Sequence, residues 1–201
     1  MATHASGGRH RESQSPLVIN VSRLGRRPGS MMTLTETVPS PARMGAELVA
    51  IEAGAPLELD LRLESVSEGV LVTGTVSAPT VGECARCLTE ISGDVQIDLT
   101  ELFAYPDSTT DETSESDEIG RVSGDRGQPD TIDLEQPITD AVGLALPFSP
   151  LCRPDCVGLC PQCGVPLASA GPDHQHEQID PRWAKLAKLM PTDEDQAGGD
   201  S

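Results

Sequence analysis

Alternation of apolar and polar side chains is clearest at Leu57 to Leu63. There LELDLRL sets leucine at 57, 59, 61 and 63 against charge at 58, 60 and 62. A period of two describes a strand with one buried face and one wet face. Ser67-Glu68-Gly69 forms a turn, and Val70 to Ser77 (VLVTGTVS) returns as the hairpin partner. Pro79 and Gly82 are expected to break that line just before Cys84. Val95, Ile97 and Leu99 then alternate with Gln96, Asp98 and Thr100 in another strand, which runs on to Phe103. Pro16 to Val21 (PLVINV) reads as the first strand. Residues 31–55 show no clean period. Pro39 and Pro41 interrupt them, and Glu47 to Ile51 suits either a strand or a short helix.

The pattern changes at Pro106. From there to Asp130 the chain is rich in Asp, Glu, Ser, Thr and Gly with almost nothing apolar, the composition of a flexible acidic loop. Order resumes at Ile132 to Leu146, where Pro137 opens a helix that sets Ile138, Val142 and Leu146 near one face, with Gly143 weakening it. Asp180-Pro181 starts a closing helix. Trp183, Leu186, Ala187 and Met190 recur at helical spacing, and Pro191 ends it. Residues 1–14 and 191–201 are polar tails, expected to be disordered. The predicted organisation is a β-rich half over 15–105, the acidic loop over 106–130, and a cysteine-rich segment with its helix over 131–190 that forms one domain with 15–105. The fold class is α+β: an antiparallel sheet, a zinc-knuckle C-terminal segment and a closing helix.

Charge narrows the function. Lys and Arg number 14 against 32 Asp and Glu, a net charge of −18, so the overall field repels nucleic acid and anionic membrane. Positive charge is local. Arg9, Arg11, Arg23, Arg26 and Arg27 stand against one acid in residues 1–30, and Arg182, Lys185 and Lys188 form a stripe along the closing helix. Arg23, Arg26, Arg27 and that stripe are the candidate contacts to nucleic acid or a partner. The blander reading of the stripe is a solvated helix face. No run approaches the roughly 20 apolar residues of a membrane span, and the first residues lack the apolar core of a secretory signal. A cytoplasmic protein with no membrane partner is expected, in a compartment where thiols stay reduced.

All six cysteines lie in two places, ECARC (Glu83 to Cys87) and LCRPDCVGLCPQCG (Leu151 to Gly164). Thiols at such spacing under reducing conditions favour metal over disulfides. Aromatic residues make up only 2% of the chain, so the core is thin and a metal crosslink would add to stability. Cys84, Cys87, Cys152, Cys156, Cys160, Cys163, His174 and His176 are enough for two tetrahedral zinc sites. The simplest partition puts Cys160 and Cys163 with His174 and His176, and Cys84 and Cys87 with Cys152 and Cys156. The second set would staple the sheet to the C-terminal segment across the acidic loop. A rival partition makes one site from Cys152, Cys156, Cys160 and Cys163, so the count is one zinc ion or two. A redox dithiol would need its CxxC at a helix N-terminus in a βαβ setting, which neither motif has. The same four cysteines would also accept an iron–sulfur cluster. A site whose four positions are all filled by protein leaves none open for catalysis. No phosphate-binding loop or nucleophile elbow is present. A non-enzymatic protein with no small-molecule substrate is expected.

One set of residues in order carries a resemblance. A β-rich half leads to CARCL (Cys84 to Leu88), an acidic loop, Ile-Asp-Leu at 132–134, Ala-Leu-Pro at 145–147, PLCRPDCVGLCPQCG and finally IDPRWAKLAKL. In this order the chain resembles the YceD family, the large ribosomal RNA subunit accumulation proteins, over roughly 16–190. The resemblance implies a ribosome-biogenesis factor supporting accumulation of large-subunit (23S) ribosomal RNA, in bacterial and plastid members alike. Its implied partner is ribosomal RNA or a basic large-subunit ribosomal protein. Many family members carry Cys-x-Cys where this chain has His174 and His176, which favours the first partition. The alternative is a cytosolic thiol redox or metal-handling protein.

Overall fold

The computed structural model describes residues 15–106, 108, 120–124 and 129–176. The expected tails at 1–14 and 191–201, most of the acidic loop, and the closing helix at 180–190 lie outside the described residues. Two compact units are distinguished, Met1–Cys156 and Val157–Ser201.

The first unit is built on one long hairpin. Strand β6 (Gly69–Glu83) pairs antiparallel with β7 (Glu90–Ala104) along its whole length, from Gly69 opposite Ala104 to Glu83 opposite Glu90. The other edge of β6 is shared. Strand β5 (Pro56–Ser65) pairs with it over Val70 to Ser77, and β4 (Val49–Ile51) pairs at Val81 and Gly82. Strand β2 (Met31–Pro39) lies outside β5, and β3 (Met44–Gly45) lies beside β4. A separate two-stranded sheet joins β1 (Val18–Asn20) to β8 (Thr131–Asp133).

Alternation on β5 places the core. Leu57, Leu59, Leu61 and Leu63 are each no more than 1% exposed, while Glu58, Asp60 and Arg62 face water. Burying a leucine side chain contributes about 1.5–3 kcal/mol, so this row is a major source of stability. The register carries the same face across the sheet: Leu63 lies opposite Val72, Leu59 opposite Val76, and Val76 opposite Ile97. Leu17, Ile19, Val122, Ile132 and Leu134 join the same core. Val122 belongs to the segment read as an acidic loop. There the Ala104 N–H donates to the Gly120 carbonyl and the Val122 N–H donates to the Ala104 carbonyl.

Two local expectations change. Strand β6 continues through Pro79 and Gly82 to Glu83. The Glu83 N–H donates to the Leu48 carbonyl, so odd-numbered amides of β6 face the edge shared by β4 and β5. Pro79 falls in the gap between those two partners, where its missing N–H breaks no ladder bond. Residues 31–55 hold three strands, β2, β3 and β4, joined by turns, and the stretch from Glu47 to Ile51 supplies β4, not a helix.

The helix of the described residues, α1 (Glu135–Ala145), starts two residues before Pro137 and precedes the cysteine-rich segment. The Asp133 carboxylate accepts from the Glu135 N–H at 2.9 Å and so helps to cap its start. Pro137 sits in the first turn, where a missing N–H costs nothing. Ile138 and Val142 bury the apolar stripe, and Pro147 follows the end.

Candidate metal centres

Each CPQC-like turn is the same piece of backbone. In the turn closing β6 and β7, the Cys84 N–H donates to the Thr89 carbonyl at 2.8 Å and the Leu88 N–H to the Cys84 carbonyl at 2.9 Å. In the second unit, the Cys160 N–H donates to the Val165 carbonyl at 2.9 Å and the Gly164 N–H to the Cys160 carbonyl at 2.9 Å. This geometry sends the residue after the second cysteine into left-handed space. Gly164 has φ 72°, and Leu88 has φ 56°. Glycine adopts that conformation freely, whereas for an L-residue it costs about 1–2 kcal/mol.

The first centre draws on two distant stretches. After α1, the chain returns to the hairpin turn, where the Ala85 N–H donates to the Pro150 carbonyl at 2.8 Å and Arg86 Nη1 to the Cys156 carbonyl at 2.7 Å. These bonds bring Cys152 and Cys156 to Cys84 and Cys87, with the four sulfurs all within 4.8 Å of one another. The Cys84–Cys156 sulfurs are 3.8 Å apart and the Cys87–Cys152 sulfurs 3.6 Å. A tetrahedral ion with bonds of about 2.3 Å to sulfur sets its ligands about 3.8 Å apart, so the spacing suits a tetrathiolate site. All six cysteines are free thiols.

Electrostatics in this cluster is that of thiols sharing protons. The Cys152 amide, with those of Arg86 and Cys87, outweighs burial and brings the Cys84 pKa down to about 6. The Thr89 hydroxyl, 3.2 Å from Cys87 Sγ, and the Thr89 amide hold Cys87 below the ordinary thiol value. The Cys87 sulfur beside it pushes Cys152 up to about 12, with the Cys156 and Cys84 sulfurs adding to the shift. A divalent cation would remove the conflict by replacing the retained protons.

The second centre is local to its unit. An isolated bridge between Leu159 and Pro166 and the Leu167 N–H on the Gly158 carbonyl close the CPQC turn. His174 and His176 follow, their Nε2 atoms 3.1 Å apart and their rings edge to face. Cys163 Sγ lies 3.6 Å from His174 Nε2. A zinc ion with bonds of about 2.3 Å to sulfur and 2.0–2.1 Å to nitrogen gives a sulfur–nitrogen edge of about 3.6 Å. The Cys160, Cys163, His174 and His176 donor atoms all lie within 4.8 Å of one another. The His174 ring, then the Cys163 and Gln162 amides, lower the Cys160 pKa to about 6.

The grouping is therefore Cys84, Cys87, Cys152 and Cys156 in one set and Cys160, Cys163, His174 and His176 in the other. Cys152 and Cys156 thus group with Cys84 and Cys87, in place of the rival set with Cys160 and Cys163. Each set offers four sulfur or nitrogen donors to one ion, a chemistry that suits soft or borderline metals and not magnesium or calcium. Arg23 and Arg27 are exposed. Arg26 lies 3.5 Å from the Asp130 carboxylate and stacks over Tyr105, 5.1 Å from its ring centre. Arg182, Lys185 and Lys188 lie outside the described residues. The sequence reading assigned no role to Arg86, Thr89 or Leu88. The arginine inside CARC was the available signal for the first of these, since a guanidinium reaches a carbonyl across a turn.

Residues 72–190 match the family model described as large ribosomal RNA subunit accumulation protein YceD. The chain is 67% identical to the uncharacterized protein Rv2926c of Mycobacterium tuberculosis over 190 residues, 94% of this chain and 89% of that protein. It is 57% identical to the uncharacterized protein ML1660 of Mycobacterium leprae, over 89% of this chain and 80% of that protein. The uncharacterized protein YlbN of Bacillus subtilis is 27% identical, over 70% of this chain and 78% of that protein. No solved structure matches the chain.

Proposed function

The chain belongs to the YceD family, and on that premise we propose that it is a cytoplasmic ribosome-biogenesis factor supporting accumulation of large-subunit (23S) ribosomal RNA. It acts by binding and not by catalysis, with zinc as a structural ion at each centre. The observation that carries the binding role is the complete donor set. Four protein ligands at each centre leave no open position for water or substrate. Zinc is favoured by the tetrahedral spacing, with four sulfur donors at the first centre and two sulfur and two nitrogen donors at the second. The family description supports the ribosomal RNA role. The net charge of −18 favours a basic large-subunit ribosomal protein over ribosomal RNA as the direct partner.

The test is deletion of the gene in the source cells, followed by quantification of large- and small-subunit ribosomal RNA. The large-subunit species should fall relative to the small-subunit one and recover with the wild-type chain. An unchanged ratio sinks the proposal. A thiol redox role predicts instead that Cys87→Ser abolishes function while zinc content and folding stay intact.

A further inference from the structure

We infer that the outer face of the sheet, at the end of the β6–β7 hairpin, is a docking groove for a lysine- or arginine-rich protein segment carrying apolar side chains between its cations. The groove has a cavity of about 770 Å³ lined by Leu48 and Val81 among acidic groups. Alternation and register define its face. Val81 and Glu83 project to the side opposite the buried Ala78 and Thr80, and the register sets Ser92 and Glu90 across from them. Val81 is 44% exposed, an apolar side chain left open in the middle of a sheet.

Charge selects the occupant. Glu47, Glu52, Glu83 and Glu90 line the groove together with one cation, Arg43. Arg43 is already used: it pairs with Glu52 at 3.4 Å and donates to the Ala46 and Glu47 carbonyls at 2.9 and 3.0 Å. Glu83 and Glu90 are directly opposed across the two strands. Like charges so placed destabilise a hairpin. Among the described residues, no ion pair neutralises either of them or Glu47. Arg86, in the turn between them, has its guanidinium on the Cys156 carbonyl. An uncompensated carboxylate pair beside exposed Val81 is complementary to a segment that brings its own cations and one apolar side chain. Phosphate-rich RNA is repelled by the same rim. This inference rests on the binding-protein reading above and names the chemistry of the partner.

The experiment titrates a fluorescent synthetic peptide of alternating lysine and leucine into the full-length, zinc-loaded chain at about 0.15 M salt, near physiological ionic strength. E83Q/E90Q should weaken binding at least tenfold, and D98N/E101Q, an equal charge change elsewhere on β7, less than twofold. Equal losses in the two variants would reduce the interaction to the general acidity of the protein and overturn the groove. The same E83Q/E90Q variant should melt at a higher temperature than the wild type, because the opposed charges are gone; a lower melting temperature would contradict the uncompensated pair. A labelled single-stranded RNA that binds the protein directly, with affinity lost in E83Q/E90Q, would also overturn the proposal. These readouts use purified protein, so they stand or fall separately from the ribosomal RNA ratio in cells.

Discussion

Cys87→Ser and Cys152→Ser give the sharpest view of the first metal centre, because these two ligands are half-buried and exposed, and their replacement removes little packing. The two positions are separated by 65 residues. If an ion joins them, the staple restricts the unfolded chain as a covalent crosslink would. The chain-entropy relation for a loop of that length gives about 4 kcal/mol at 25 °C. For a chain of this size, about 2–4 °C of melting temperature accompanies each kcal/mol, so the expected drop is about 8–16 °C. The four thiolates act as one unit. Each single substitution should therefore cost most of that amount, and the double variant hardly more, giving a coupling energy nearly as large as either single effect. Circular dichroism melts of the four proteins, zinc-loaded and in reductant, read this directly. Single variants that melt within about 2 °C of the wild type, or effects that simply add in the double variant, would refute the staple.

Gly74 lies in mid-sheet with φ 147°, and a side chain there would strike the Asp60 carbonyl oxygen and come within 2.9 Å of the Leu61 Cα. Gly74→Ala should cost more than about 2 kcal/mol in urea unfolding, since strain and backbone clash add. Arg86→Ala removes the guanidinium bond to the Cys156 carbonyl. It should destabilise by about 1 kcal/mol, the surface-discounted value of a charge-assisted bond, and hasten zinc loss to a chromophoric chelator. The pH dependence follows from Cys84 and Cys160, both with pKa values lowered to about 6. Protons compete with the metal for these thiolates, so zinc should be held at neutral pH and released in acid, below the value near which the metal-free thiolates take up a proton. Zinc retained without change even in strong acid would contradict the assignment of these ligands.

Much of the sheet was legible because one strand face is buried and the other wet. Leu57 to Leu63 and Val95 to Leu99 carry that signal without interruption, and both are strands. Strand β2 was harder to read. It is an edge strand whose inward residues Met32, Leu34 and Val38 are only partly buried, so Thr and Glu share the strand with them and the period blurs. The reach of β6 past Pro79 was hidden for another reason. Whether a proline breaks a strand depends on which neighbour its nitrogen faces, and here it faces the gap between β5 and β4. The local spacing of Cys160, Cys163, His174 and His176 is enough to suggest one centre. Cys84 and Cys87 meet Cys152 and Cys156 only through the hairpin turn and the loop at Pro150, contacts between residues more than 60 positions apart. Spacing alone therefore left the rival four-cysteine set equally tetrahedral. The left-handed conformation of Leu88 was masked by its identity, since the corresponding position in the second turn is glycine.

The central claim is that both donor sets hold a structural ion. Zinc per chain, measured by elemental analysis on freshly purified full-length protein with a parallel titration of reactive thiols, tests it most directly. The account predicts two zinc ions per chain and six protected thiols that become reactive when a strong chelator removes the metal. Metal-free protein with six thiols reactive from the outset would contradict it.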